Sequence, residues 1–348
     1  MMKKMDWTRT AILGICLFPA SLFAHHSAYE FNTDVVLEFA GELVQVQWRN
    51  PHVRMNLLVQ NENGTEEIWE MEGHDVNSLD RSGVSRGLIQ VGQSVRVAGS
   101  PSTRRQALLV TNLMLSDGRE VLTHLSGVPR WTDDVIGDRE AVRGRPDEYV
   151  TPVENIFRTW TTVQSNTPGF STDPPLTPEA RAAYQAFDPI NDDPVLRCVA
   201  PGMPEAMTYI GPHPVGFAEL ANGDIEIRIE SDDNVRVVHM DKAASGDDQP
   251  LSPLGYSIGH WQDDVLIVTT TRLDWPYFKV RGLVAAPQSN TMEIVERFAL
   301  NQQKGTLTYG FTATDPANFT ESVTAEAYHI WRFRPGVTVE PYECTLED

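Results

Sequence analysis

Hydrophobic and polar residues alternate in two long regions of the chain, and the alternation predicts β-strands in both. In the first region, 36–117, the stretches LEFAGELVQVQW, VRMNLLVQ and EEIWEMEG read as three strands. A short helix follows in DVNSLDRSGVSRGLI, and GQSVRVAGSPS and ALLVTNLMLSDGRE read as two more strands. Five strands with a helix between the third and fourth is the order of an OB-type barrel.

The register of the first hairpin can be predicted from its side chains. A two-residue turn at Asn63 and Gly64 would place apolar side chains opposite glutamates. A three-residue loop over 62–64, with Gly64 in the left-handed conformation, keeps apolar residues opposite one another. The pairs that it predicts are Met55 with Met71, Leu57 with Trp69, Arg54 with Glu72, and His52 with His74.

The second β-rich region begins near Cys198 and contains at least seven short strand patterns separated by polar turns such as ANGD, WQDD and NQQKG. This spacing predicts an antiparallel meander closed into a lipocalin-like barrel, or a sandwich. A closed meander with an apolar interior could bind a small apolar ligand. The fold class expected for the chain is therefore all-β.

Residues 119–197 between the two regions are polar and rich in proline, and we interpret them as a connector. A helix is expected only in TPEARAAYQAF, where Thr177 is the N-cap and Pro178 occupies the first turn.

The N-terminus has the pattern of a secretory signal. Lys3, Lys4 and Arg9 precede the uncharged run AILGICLFPASLFA, which is too short to span a bilayer and ends at the small residue Ala24. We expect cleavage after Ala24 and a periplasmic or secreted protein. The predicted organisation is a signal peptide at 1–24, an OB-like domain at 25–118, the connector at 119–197 and a β-barrel domain at 198–348.

The charge balance limits the classes of partner. The formal net charge of −20 becomes −22 when the leader, with its three basic groups and Asp6, is removed. Such a surface repels nucleic acid and anionic lipid. No later segment is apolar enough to cross a membrane, and the oligomeric state stays open.

Two cysteines, Cys198 and Cys344, remain after loss of Cys16 with the leader. In an oxidising compartment we expect a disulfide between them that joins the C-terminal segment to the start of the second domain. Two free thiols are the alternative.

Four histidines form the candidate metal site. Cleavage after Ala24 would make His25 the first residue, so that it offers both its amine and its ring nitrogen, and His26 follows it. The extended segment 25–36 is long enough to reach His52 and His74 by running back beside the first strand. Nitrogen ligands of these types suit copper and zinc, and copper is favoured. Histidines that only cover the barrel rim are the alternative.

A second hypothesis makes the protein an enzyme acting on a hydrophobic small molecule. His260 and Asp274 would form an acid/base pair at the mouth of the second barrel, and Arg272 would hold an anionic group. The alternative is a hairpin turn at WQDD with aromatic residues that fill a barrel end. A third hypothesis is a structural module of the cell envelope.

The stretches AHHSAYEF, GELVQVQWRNPHV and IWEMEG resemble an exported bacterial family known mainly as a domain of unknown function. The likeness covers about residues 24–118, and its most specific part is the block formed by Trp48, Asn50, Pro51 and His52. The resemblance implies a small OB-like domain in an envelope protein. His74 lies outside the family pattern.

The second half is similar to another uncharacterised bacterial module, over about residues 174–344. The stretches that carry this likeness are PPLTPEARAAYQAFDPINDDPVLRCVAPGMP, GHWQDDVLIVTTTRLDWPYF, VERF and YEC. Relatives tend to have an acidic residue after Tyr-Phe, whereas this chain has Lys279. The resemblance implies a type of fold for this half of the chain but no activity.

Overall fold

The structure is a computed structural model that describes residues 30–61, 63–143, 151–164, 174–209, 211–240, 246–280 and 283–346. Strands dominate it, as the alternating pattern predicts. Its four short α-helices are α1 (Val76–Arg81), α2 (Arg139–Arg143), α3 (Pro178–Ala186) and α4 (Glu205–Thr208). Single 3-10 turns lie at Arg86–Leu88, Pro194–Arg197 and Ser231–Asp233.

The first five strands form a closed barrel. They are β1 (Leu37–Gln47), β2 (Arg54–Gln60), β3 (Glu66–Glu72), β4 (Ser94–Pro101) and β5 (Ala107–Met114). Their order is β3-β2-β1-β4-β5, and a parallel pairing of β3 with β5 closes the ring. With α1 between β3 and β4, this is the OB-type topology predicted from the sequence. Two short strands, β6 (Glu120–Leu122) and β7 (Val135–Ile136), extend the sheet beyond β5.

The predicted register of the first hairpin is confirmed. Met55 pairs with Met71, Leu57 with Trp69, and Arg54 with Glu72. Gly64 adopts a φ of 78°, the left-handed conformation that the three-residue loop requires. Met55, Leu57 and Met71 are buried in the barrel core, because the register places them all on its inner face.

A second barrel has nine strands. They are β8 (Thr159–Gln164), β9 (Val215–Glu219), β10 (Ile225–Ile229), β11 (Asn234–His239), β12 (Tyr256–Gln262), β13 (Val265–Thr271), β16 (Glu293–Asn301), β17 (Thr306–Thr314) and β18 (Val323–Phe333). The strands β14 (Tyr277–Val280) and β15 (Leu283–Pro287) form a separate two-stranded sheet. The barrel is the closed form of the two architectures expected for this region. It differs from a pure meander because β11 and β12 are parallel.

The strand β8 comes from the segment interpreted as a connector. It pairs with β18 on one side and β9 on the other, and so closes the second barrel. This strand has only six residues, TWTTVQ, and most of them are polar. The pattern of hydrophobic and polar residues therefore does not predict it. The predicted helix at TPEARAAYQAF is confirmed as α3, with the Thr177 side chain accepting a hydrogen bond from the Ala180 backbone nitrogen.

The chain's own side chains fill the interior of the second barrel. Trp331 stacks on Tyr309, with ring centroids 5.4 Å apart, and both are fully buried. The hydroxyl of Tyr309 donates to Glu296 over 3.2 Å, and the guanidinium of Arg236 donates two hydrogen bonds, of 3.0 and 2.7 Å, to the same carboxylate. These side chains are part of the buried core of the second barrel.

A disulfide joins Cys198 to Cys344, as predicted. It anchors residues 340–346, which we call the C-terminal strap, because they contact both barrels. The strap receives hydrogen bonds from the first barrel and donates backbone N–H groups to Glu230 and Asp233 at the end of β10. Among the helices in the described parts of the chain, none is long and apolar enough to span a membrane.

Candidate functional site

The hairpin β2–β3 ends in a histidine on each side. Beyond the last ladder pair, Arg54 with Glu72, the backbone nitrogen of Val53 donates to the carbonyl of His74 over 3.0 Å. The backbone nitrogen of Gly73 donates to the carbonyl of Val53, so the hydrogen bonding is irregular here, and the predicted pair of His52 with His74 is not among the pairs of the ladder. The two histidines lie at this end of the hairpin because both strands run out at the same rim of the barrel.

The imidazole of His52 is held by its own hairpin. Its Nδ1 lies 3.2 Å from the carbonyl oxygen of Gly73, and its Nε2 lies 3.7 Å from Oε1 of Glu72. A third of the His52 side chain, 34%, stays exposed. Burial, together with the positive charge of His74, lowers the pKa of His52 to about 4. The ring is therefore neutral at neutral pH, which is the form that can ligate a metal.

The carboxylate of Glu72 lies beneath His52. Its side chain is 4% exposed, and its Oε2 accepts no hydrogen bond from the part of the chain that the structure describes. Burial raises the pKa of Glu72 to about 8 against the opposing charge of Arg54, and the charge of Glu30 adds to the rise. With that pKa the group is largely protonated at neutral pH, although Nε of Arg54 lies 4.0 Å from Oε2, and a further cation would favour the carboxylate form.

His74 has a different partner on each side. Its Nδ1 is hydrogen-bonded to Oδ2 of Asp75, and its ring lies against that of His124, with centroids 4.9 Å apart. The Nδ1 of His124 lies 2.7 Å from the hydroxyl oxygen of Ser126. A hydrogen bond from the His74 backbone nitrogen to the carbonyl of Thr123 brings the two histidines together.

His124 was not among the candidates from the sequence. It follows β6, fifty residues after His74, and carries no motif that marks it. Only the parallel closure of β3 on β5, which brings β6 beside the end of β3, places it here.

The segment before β1 lies beside the β4–β5 hairpin. Phe31 forms a bridge with Ser102, and Oε1 of Glu30 accepts a hydrogen bond of 2.7 Å from Nε of Arg105. Residues 30–32 therefore follow the β4–β5 hairpin, and the expectation that they run back beside β1 is wrong. Arg105 nevertheless pairs with Glu70 as well as with Glu30, so the segment lies near β3, the strand that ends at Glu72.

His25 and His26 lie outside the described residues. Five residue-to-residue steps lead from His25 to Glu30, so the two can be at most about 16 Å apart. Within the described ranges, no group of three or more His, Cys, Asp or Glu side chains is arranged to hold a metal ion. Of the predicted ligands, the structure brings together His52 and His74, with Glu72 and His124 beside them.

The residue Asn50, in the most specific part of the motif, has a structural role. Its side-chain amide donates to Oδ1 of Asn77 over 2.9 Å and to the carbonyl of Tyr342, and its Oδ1 accepts from the Val76 backbone nitrogen over 2.7 Å. Asn50 thus joins the start of α1 to the C-terminal strap, two residues from His52.

A second charged cluster lies where the two barrels meet. The ring of His213 is buried between Asp75 of the first barrel, at 3.7 Å, and Glu230 of the second, at 3.1 Å. Arg81 forms a two-point ion pair with Glu230. Burial opposes the charged form of each group, but the neighbouring opposite charges outweigh it. They raise the pKa of His213 and hold the pKa values of Asp75 and Glu230 below their usual range.

The three candidate catalytic residues of the second barrel are not brought together. His260 pairs with Ile267 near the turn of the β12–β13 hairpin, whereas Arg272 and Asp274 follow the other end of β13. The predicted hairpin turn at WQDD is confirmed by the pairing of Gln262 with Val265. Because about five residues of extended strand separate Ile267 from Arg272, roughly 16 Å, the acid/base pair of His260 and Asp274 is not formed.

Lys279, which follows Tyr277 and Phe278, is a buried ion-pair residue. Its ammonium donates to Glu205 over 2.6 Å and also to Asp193. Burial disfavours the charged amine, but the two carboxylates outweigh it and raise the pKa of Lys279. A charged, fully paired lysine of this kind stabilises the barrel and is not a nucleophile.

Comparison with curated proteins found no match to this chain. Residues 15–108, which contain His25, His26, His52 and His74, match DUF6152, a family of unknown function.

Proposed function

We propose that this protein is exported and binds a transition metal ion, with copper favoured, at the rim of its first barrel. His52 and His74 supply ligands from the barrel, and the processed N-terminus at His25 supplies its amine and ring nitrogen. His26, the next residue, is the further ligand. Neutral imidazole and amine nitrogens form a donor set that suits copper and zinc.

One observation carries this proposal: among the described residues Oε2 of the buried Glu72 carboxyl accepts no hydrogen bond and lies 4.0 Å from Nε of Arg54, and the carboxyl lies beside the neutral ring of His52. A cation or an ammonium group would stabilise that carboxylate. The Nδ1 atoms of His52 and His74 are both occupied by protein oxygens, a backbone carbonyl and a carboxylate. This arrangement is common for metal-bound histidines, because it orients the ring and leaves Nε2 for the ion.

The N-terminal arm is the part of the site that the described residues do not contain. Export and cleavage after Ala24 would place His25 within about 16 Å of extended chain from Glu30. The complete set of ligands would then exist only in the mature protein. The disulfide between Cys198 and Cys344 agrees with an oxidising compartment.

The decisive experiment titrates Cu²⁺ into two forms of the full mature chain that both begin at His25, one with a free N-terminal amine and one in which that amine is acetylated. The acetylated form should bind Cu²⁺ at least about tenfold more weakly, because it has lost one nitrogen ligand. His52→Ala should weaken binding similarly. His260→Ala, which changes an exposed histidine on β12, should leave the affinity unchanged.

Two results would overturn the proposal. Equal Cu²⁺ affinities for the two forms would show that the amine of His25 is not a ligand. N-terminal sequencing of the exported protein that finds a first residue other than His25 would remove the site as described. Circular dichroism of each variant shows whether it is folded before its affinity is compared.

A further inference from the structure

The carboxylate of Asp75 contacts both His74 of the candidate metal site and His213 of the cluster between the two barrels. Its Oδ2 bonds to Nδ1 of His74 on one side and lies 3.7 Å from Nε2 of His213 on the other. Its Oδ1 caps α1 by accepting from the Ser78 backbone nitrogen over 2.7 Å. The Asp75 side chain is 3% exposed, so these partners, and not water, fix its position.

His213 reaches Asp75 from the second barrel, where it is firmly held. Its Nδ1 lies 3.1 Å from Oε1 of Glu230, and its ring meets Tyr342 of the C-terminal strap edge-on at 5.3 Å between centroids. Glu230 in turn accepts hydrogen bonds from Arg81 and from the backbone nitrogen of Glu340. The chain of contacts from His74 to the second barrel is therefore continuous and buried.

We infer that His213 is a positioning residue for the metal site, and that docking of the second barrel orients His74 through Asp75. This inference rests on the proposed function in so far as the oriented ring is a metal ligand. Without His213, the buried Asp75 carboxylate would keep His74 and the Ser78 backbone nitrogen of these partners, and it would turn toward His74 to pair with that ring. The orientation of the His74 ring and its hydrogen bond at Nδ1 would then change.

The coupling must act in both directions. If docking of the second barrel increases the affinity of the site, a metal ion bound at His74 strengthens docking by the same factor. The second barrel supplies no metal ligand itself. It regulates the metal affinity of the first barrel through His213 and Asp75. The regulation needs no movement of His52 or of the N-terminal arm.

The test compares His213→Gln, which keeps polar atoms but loses the charge, with His213→Leu, which loses both. His239→Leu is the matched control, because His239 also lies beside a carboxylate, Asp224 at 3.0 Å, but contacts only the second barrel. Should His213→Leu unfold the full chain, His213→Gln alone carries the comparison.

Two measurements separate this inference from the proposed function. The first is the ¹⁵N chemical shift of the His74 ring in metal-free protein, which reports the hydrogen bond between Asp75 and Nδ1. The second is the Kd for Cu²⁺, which we expect to rise about fivefold or more in both His213 variants and to stay constant in His239→Leu.

A changed His74 ring together with a raised Kd supports the inference. A changed ring in a protein that does not bind Cu²⁺ even as the wild type supports the positioning role and overturns the metal site. An unchanged ring and an unchanged Kd, in a wild type that does bind Cu²⁺, overturn the inference and leave the metal site standing.

Discussion

The guanidinium of Arg81 and the carboxylate of Glu230 form a two-point ion pair between the helix of the first barrel and the end of β10 in the second. Glu230 is fully buried, and Arg81 keeps 18% of its side chain exposed. Such a pair has fixed geometry as well as opposite charge, so it orients the two barrels and does not merely attract them.

Arg81→Ala should reduce the free energy of unfolding by about 2 to 3 kcal/mol, because the buried Glu230 carboxylate loses two charge-assisted hydrogen bonds and keeps His213 and the Glu340 backbone nitrogen as partners. Urea unfolding followed by tryptophan fluorescence measures the change. Arg119→Ala, which breaks an exposed pair with Asp117, should have no measurable effect. Similar losses in the two variants would show that the Arg81 pair is as weak as a surface one.

Asn50→Ala should lower the free energy of unfolding by about 2 to 4 kcal/mol, because three side-chain hydrogen bonds in a buried position are lost together. The control is Asn56→Ala, which removes one exposed bond to Gln45 and should change stability by less than about 0.5 kcal/mol. Equal effects of the two substitutions would contradict the structural role of Asn50.

Loss of the disulfide should loosen the C-terminal strap. Cys344→Ser opens a link between residues 146 positions apart, which on the chain-entropy model reduces the free energy of unfolding by about 4 to 5 kcal/mol. Cys198→Ser should have the same effect, and reductant should destabilise the wild type but neither variant. A wild type that reductant leaves unaffected would argue against the bond.

The buried His329 predicts a dependence of stability on pH. Burial lowers its pKa to about 4 from an ordinary value of 6.5, so the unfolded chain takes up a proton in this range and the native chain does not. Stability should therefore fall as the pH drops from 6.5 to 4, by about 3 kcal/mol for this group, and level off below.

The measurement is urea unfolding at several pH values for the wild type and His329→Gln. The variant should lack this part of the slope, whereas the exposed-site variant His260→Gln should keep it. Parallel pH profiles for the wild type and His329→Gln would show that His329 is not responsible.

Local patterns determined much of the first barrel. The match of apolar side chains across β2 and β3 selects one register, because a slip of one residue would turn every side chain to the wrong face. The same local reasoning predicted α3 from its cap at Thr177 and the disulfide from two remaining cysteines. These features depend on neighbours in sequence or on a single possible pairing.

Local patterns predicted only some of the residues of the candidate metal site. His52 and His74 follow from the hairpin register, but His124 and His213 reach the cluster through strand closure and through contact between the barrels. Conversely, His260 and Asp274 are near in sequence and remote in space, since an extended hairpin carries them to opposite ends.

Most strands of the two barrels, the register of the first hairpin and the acidic charge could be predicted from the chain alone, because these depend on side-chain period and composition. Long-range packing places β8 in the second barrel, joins the strap to Asn50 and sets Asp75 between His74 and His213. Those contacts join residues up to 292 positions apart. No local period encodes them, because burial and charge pairing select them only when the whole chain has folded.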